Sequence, residues 1–301
     1  MKKIISLLGL VIGIFLLTGC SDDSMDNITI YTSVYPIEYV TEEIYGTHSK
    51  VYNIYPQGIV PYDYKLTDKQ ISTFADSDLI VYNGLSEEKD YMSKMLNQNK
   101  KLKIIDATNN IEYTNGYDEI WINPSDILMI AQNIKDGLKE YVSSTLINED
   151  IDQNYEQLKI DISNLDAEIK EMVENSSNKN IIVQDNELTF LNKYGLNIIS
   201  LDKNTITDKI YNDAKDMVNT NGLSYIFVIK GHKNNDYTNK LLEEIPSLKV
   251  IEIDPINNIS TSDKNEGVDY ITIMNDNIDK LKQELYWNAP LRVDTNKKTV
   301  Q

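Results

Sequence analysis

Cysteine is almost missing from this sequence. Cys20 is the only one in 301 residues, so no disulfide can form within the chain. Histidine is nearly as scarce, with His48 and His232 alone, so no paired histidine base is available for acid–base catalysis. Neither a G-x-S-x-G elbow nor a glycine-rich phosphate-binding run occurs, which removes two common enzyme signatures. Twelve glycines and seven prolines are too few for a loop-rich or disordered module. Positive charge is also short: 29 Lys and Arg face 47 Asp and Glu, a formal charge of −18. A surface that acidic argues against nucleic acid or an anionic membrane surface as partner and is compatible with a cationic ligand.

The N-terminus supplies what the rest lacks. Lys2 and Lys3 precede an apolar run from Ile4 to Leu17, followed by Leu17-Thr18-Gly19-Cys20. The run of about 14 residues is the length of a secretory h-region and short for a membrane span. Leu-Thr-Gly-Cys resembles the lipobox of bacterial lipoproteins, which predicts a signal peptide over 1–19 and lipid on Cys20. Residues 20–27, including the polar Ser21-Asp22-Asp23-Ser24, would then tether an extracytoplasmic domain to the cell membrane. Loss of Lys2 and Lys3 would take the charge to −20. The remainder, about 280 residues, suffices for two modest lobes or one large domain.

Along that remainder, β-rich runs alternate with helical periodicity. "ITIY" (Ile28–Tyr31), "DLIVY" (Asp78–Tyr82) and Lys103–Ile105 read as strands, with helices opening near Tyr35-Pro36 and at Pro124. Thr67-x-x-Gln70 is a capping-box signature for a further helix. Ile151, Tyr155, Leu158, Ile162, Leu165, Ile169 and Met172 then follow at spacings of four and three, an unbroken heptad seam. The seam predicts one long helix, serving either a coiled-coil dimer or a single stripe laid along two lobes. The strand–helix rhythm then restarts, and "YIFVIKG" echoes "DLIVYNG". The expected fold is α/β: two similar lobes, each a mostly parallel sheet flanked by helices, over 28–148 and 178–287. One long helix over 149–177 would join them, with 288–301 as a tail.

Ligands of open α/β sheets bind beyond the carboxyl ends of the strands. The residues there are Tyr35, Tyr55-Pro56, Gln184-Asp185, Lys230-Gly231-His232 and Asp254-Pro255. Asp185 could equally cap the helix that follows, and Asp254-Pro255 could open an ordinary turn. The stretch "VPYDY" (Val60–Tyr64) lies close to one of these ends, and Pro56 and Pro61 stiffen the loop on either side of Gly58.

Taken in order, "GIVPYDYKLTDKQI", "DLIVYNG", "YDEIWINP", "NLDAEIK", "KYGL" and "EIDP" resemble the zinc/manganese-type substrate-binding lipoproteins of metal ABC transporters, from about Ile28 to Trp287. The resemblance implies two α/β lobes on a rigid helix, a metal ion held between them, and a cognate permease that receives it. The two-lobe architecture goes with a monomer, and the missing catalytic signatures argue against an enzyme. The family's ligand positions fall on Tyr62, Glu119, Asp185 (or Gln184) and Asp254. Where the family has histidine in its first two motifs, this chain has Tyr62 and Glu119. The implied set is all oxygen, which suits manganese or iron better than zinc. His232 reads either as an exposed loop residue or as an additional ligand. The other expectation is a site that has lost its metal and takes an organic ligand or a partner protein, for which 20 tyrosines against four phenylalanines would be suited.

Overall fold

The computed structural model describes residues 25–59, 61 and 64–286. Cys20, Tyr62, Asp63 and the tail from Trp287 lie outside the described residues. Chain order is β1 (Ile28–Thr32), α1 (Tyr35–Tyr45), β2 (Ser49–Asn53), α2 (Asp68–Ala75), β3 (Leu79–Tyr82), α3 (Glu88–Gln98), β4 (Lys103–Asp106), α4 (Tyr117–Ile122) and α5 (Pro124–Tyr141). The long helix α6 (Thr145–Glu174) follows. Then come β5 (Asn180–Val183), a 3-10 segment (Asn186–Tyr194), β6 (Asn197–Ser200), α7 (Asp208–Asn221), β7 (Tyr225–Ile229), α8 (Asp236–Glu244), β8 (Lys249–Ile253), α9 (Thr261–Asn265) and α10 (Tyr270–Leu285).

The strands form two four-stranded parallel sheets, ordered β2-β1-β3-β4 and β6-β5-β7-β8. The second lobe repeats the order of the first, so the echo between the two sequence halves reflects the same position, β3 and β7, in each sheet. Both of these strands are almost wholly buried, as expected of inner parallel strands covered on both faces. Local chemistry sets the helix starts. Pro36 sits in the first turn of α1, where a missing N–H costs nothing. Thr67 and Gln70 close the anticipated capping box on α2.

The 30 residues of α6 span about 45 Å. The helix starts four residues earlier than its heptad seam suggests, because Ser144 Oγ accepts the N–H of Ile147 and caps it there. All seven seam residues are buried, and the helix packs on α1 and α5 of the first lobe and on α10 of the second. The stripe therefore faces inward along both lobes. One apolar core runs through the inner faces of both sheets and the seam, while each sheet's outer face has a smaller core of its own.

Further ties cross between the lobes. Tyr270 stacks on Tyr39 and donates its hydroxyl to the carbonyl of the fully buried Trp121 at 2.8 Å. Lys193 reaches Asn123 Oδ1 and Ser125 Oγ at 2.8 Å each.

Candidate functional site

Each sheet has a switch point, between β1 and β3 in the first lobe and between β5 and β7 in the second, where successive connections leave in opposite directions. A crevice opens at such a point beyond the strand ends. In the second lobe the residues there are Gln184-Asp185 after β5 and Lys230-Gly231-His232 after β7. Gly231 adopts φ +89°, and the N–H of His232 closes the turn onto the Ile229 carbonyl at 2.9 Å. This turn sets the imidazole beside Asp185, with Nδ1 3.3 Å from Asp185 Oδ1. The other carboxylate oxygen of Asp185 accepts the Ile229 N–H, which fixes the side chain to the strand end. Asp185 occupies the N-cap position of the 3-10 segment, but its side chain makes no capping bond.

Across the crevice, α4 of the first lobe presents Asp118, whose Oδ2 lies 3.9 Å from His232 Nε2. Asp118 is buried, and its Oδ1 accepts a hydrogen bond from Asn257 of the second lobe. Glu187 completes the surroundings. Burial pushes its carboxyl up to about 7, and the charges of Asp185 and Asp118 add to the shift. The hydrogen bond to Asp185 raises the pKa of His232 above that of a free imidazole despite burial, and the charges of Asp185, Asp118 and Glu187 act in the same direction. The crevice thus holds one nitrogen base among three carboxyl groups contributed by both lobes.

The remaining sequence-derived positions are placed as follows. Asp254 pairs with Lys230 at 2.8 Å, while its Oδ1 accepts the N–H of Ile256, so it serves as a turn opener as well. Glu119 has other partners. Its Oε2 accepts the Asn115 N–H, and the charged groups it acts on are Asp126 and Lys193. Gln184 is buried and spent on the Asn235 N–H and the Lys233 carbonyl, which leaves Asp185 as the one turned toward His232. Tyr62 lies outside the described residues. Its neighbour Tyr64 packs edge-on against Tyr55 and accepts from Gln70. His48 instead bridges Asp26 and Asp150.

The structure therefore groups Asp185 with His232 and adds Asp118 and Glu187, two residues the sequence reading passed over. Glu187 carried a signal, since it stands two residues beyond Asp185. Asp118 carried one too, as the acidic neighbour of Glu119 in the same "YDEIWINP" motif. Among the described residues, no three His, Cys, Asp or Glu side chains converge closely enough to hold a metal ion as they stand.

Comparison with known proteins places the chain in a family. The chain is 23% identical over 319 residues to the zinc-binding lipoprotein AdcA of Streptococcus pneumoniae R6, covering 96% of this chain and 62% of AdcA. It thus spans about three fifths of that relative's length. It is 21% identical to the high-affinity zinc uptake system protein ZnuA of Bacillus subtilis, covering 89% and 90% of the two chains. Among solved structures, the metal-dependent lipoprotein YcdH of B. subtilis superposes with a TM-score of 0.70 at 20% identity over 87% of this chain and all of that one. The Zn(II)-bound ZnuA-like domain of S. pneumoniae AdcA gives 0.67 at 21% identity, again over 87% of this chain and all of that one. Residues 30–284 match the family described as zinc-uptake complex component A, periplasmic, and the chain belongs to that ZnuA family.

Proposed function

We propose that the protein captures a divalent metal ion between its two lobes outside the cytoplasm and delivers it to an ABC permease. The observation that carries this reading is the position of His232, between Asp185 of the second lobe and Asp118 of the first. A neutral imidazole flanked by carboxylates is a donor set that zinc accepts. An ion there would bridge the lobes and relieve the mutual repulsion of the carboxylates. The family assignment and the relatives named for zinc binding support the same reading.

The cargo we propose is zinc. The four oxygen positions read from the sequence favour manganese or iron, but nothing found in the comparisons supports that preference, and His232 adds the nitrogen donor they lacked. Tyr62, a ligand position read from the sequence, and Asp254, released from Lys230, would be further ligands in the loaded state. Glu119 would need to turn away from Asn115 to join them. Lipid on Cys20 would hold the protein at the membrane as a monomer beside its permease, and the chain would carry no catalytic activity.

Calorimetric titration of the purified protein with Zn²⁺, Mn²⁺, Fe²⁺ and Ca²⁺ tests this. The expected result is one zinc per chain, with the affinity reduced at least ~10-fold by His232→Ala, a loss of about 1.4 kcal/mol or more. Absence of heat with every ion would overturn the reading.

A further inference from the structure

Three aspartates around the crevice share one feature: each has a carboxylate oxygen held by an N–H donor of the protein. Asp185 Oδ2 accepts the Ile229 N–H at 3.2 Å, and its Oδ1 lies 3.3 Å from His232 Nδ1. Gln184 Nε2 adds a long contact of 3.4 Å to both of these oxygens. Asp254 Oδ1 accepts the Ile256 N–H at 2.9 Å, and its Oδ2 is the oxygen on Lys230. Asp118 Oδ1 accepts the side-chain amide of Asn257 at 3.1 Å, and its Oδ2 faces His232 Nε2 at 3.9 Å. Of the three donors within 3.2 Å, Asn257 is the one supplied by a side chain, and it reaches Asp118 from the opposite lobe.

Asn257 is itself fixed in place. The loop after β8 passes through Ile256, which is fully buried and takes φ +59°. That conformation is rare for a β-branched residue and persists only where the surroundings over-determine it. The Asn257 carbonyl accepts the Tyr35 N–H of the first lobe at 3.4 Å, and its Oδ1 accepts Asn258 Nδ2 at 2.8 Å. The second of these bonds leaves Nδ2 as the half of the amide turned to Asp118.

A carboxylate with one oxygen occupied meets an ion through the other alone. Zinc suits that arrangement, since it takes about four donors at about 2.0–2.2 Å, which stand roughly 3.3–3.5 Å from one another. His232 Nε2 and Asp118 Oδ2 are close to that spacing. Calcium takes about six to eight oxygens, with carboxylates able to give both, and manganese suits an octahedron of oxygens. We propose that Asn257 is a specificity-determining residue of the metal site, resting on the metal-capture reading above. By tying down one oxygen of Asp118 it keeps that ligand one-armed and aims it across the lobes, which favours zinc over manganese and calcium. Asn257 does not touch the ion; it acts through Asp118.

Calorimetric titration with Zn²⁺, Mn²⁺ and Ca²⁺ tests this on the purified native chain, Asn257→Ala, Asp118→Ala and the double variant. Asn257→Ala is expected to weaken zinc at least ~10-fold, as removal of a group that orients a metal ligand does, with manganese and calcium changed less than ~3-fold. In the Asp118→Ala background the same substitution should change zinc less than ~2-fold, because its effect runs through that carboxylate. If Asn257→Ala melts lower than the native chain, Asn257→Leu, which keeps the bulk without the N–H, is measured in its place. An equal loss for all three ions, or a loss undiminished without Asp118, would assign Asn257 a structural role and overturn the proposal while metal capture stands. A native chain that takes manganese or calcium as tightly as zinc would do the same. Zinc binding indifferent to both His232→Ala and Asp118→Ala, or no binding of any ion, would overturn the capture reading as well.

Discussion

At Gly116, just before α4, the backbone holds φ +126° and ψ 163°, a region open essentially to glycine alone. A methyl group there would lie 2.2 Å from Glu187 Oε1 of the other lobe. Gly116→Ala should therefore cost about 1–3 kcal/mol, read as a lower urea midpoint at unchanged slope. The helix that follows this glycine, α4, carries Asp118 to within 3.9 Å of His232. A six-residue helix is too short for periodicity to reveal its phase, so sequence pattern pointed to the motif and to Glu119, whereas Asp118 is the residue beside His232. Asp185 and His232 were legible because residues just past parallel strands face the crevice whatever the loop sequence. In the first lobe, Glu88 is fully buried with its carboxyl pushed up to about 7 by desolvation, opposed by bonds from Asn83 N–H and the Tyr55 hydroxyl. Its folded pKa exceeds the unfolded value, so the folded form holds the extra proton and stability falls as pH rises from about 4.5 to about 7. Glu88→Gln should flatten that fall, gaining stability relative to the native protein at pH 8 but not at pH 4, in melting curves across the range. An unchanged slope would mean that the buried carboxyl is not its source.

Among the elements, α6 was the most legible, since seven apolar residues at heptad spacing leave little choice of face. Which partner that face meets was not legible, because a seam of this kind fits a second copy as well as two lobes. The chain resolves it by packing α1, α5 and α10 along the seam. Ile162, fully buried at its middle, belongs to the core shared by both lobes. Ile162→Ala should cost about 2–5 kcal/mol, measured by denaturant unfolding. A cost below about 1 kcal/mol would indicate that the seam is not tightly packed. The start of α6 depends on a capping bond from Ser144, a feature of local geometry that hydrophobic spacing does not report.

On the scale of the whole molecule, alternation of strands and helices was enough to give two parallel α/β lobes, and the repeated strand order explains why the halves echo each other. The ties between lobes were not legible, because Tyr270 with Trp121 and Lys193 with Asn123 join residues far apart in sequence. With a core continuous through both lobes, unfolding is expected as one cooperative transition, seen as coincident curves by fluorescence and circular dichroism. Two separated transitions would mean that the lobes fold independently. The same continuity favours small lobe movements on binding over wide hinge closure. The central claim, that an ion is held where the lobes meet, is tested most directly by diffraction from zinc-soaked crystals on both sides of the zinc absorption edge. The expected result is a single anomalous peak within about 2.0–2.2 Å of a His232 nitrogen and a carboxylate oxygen of Asp185 or Asp118. A peak beside Glu119 and Asp126 instead, or none at full zinc occupancy in solution, would contradict it.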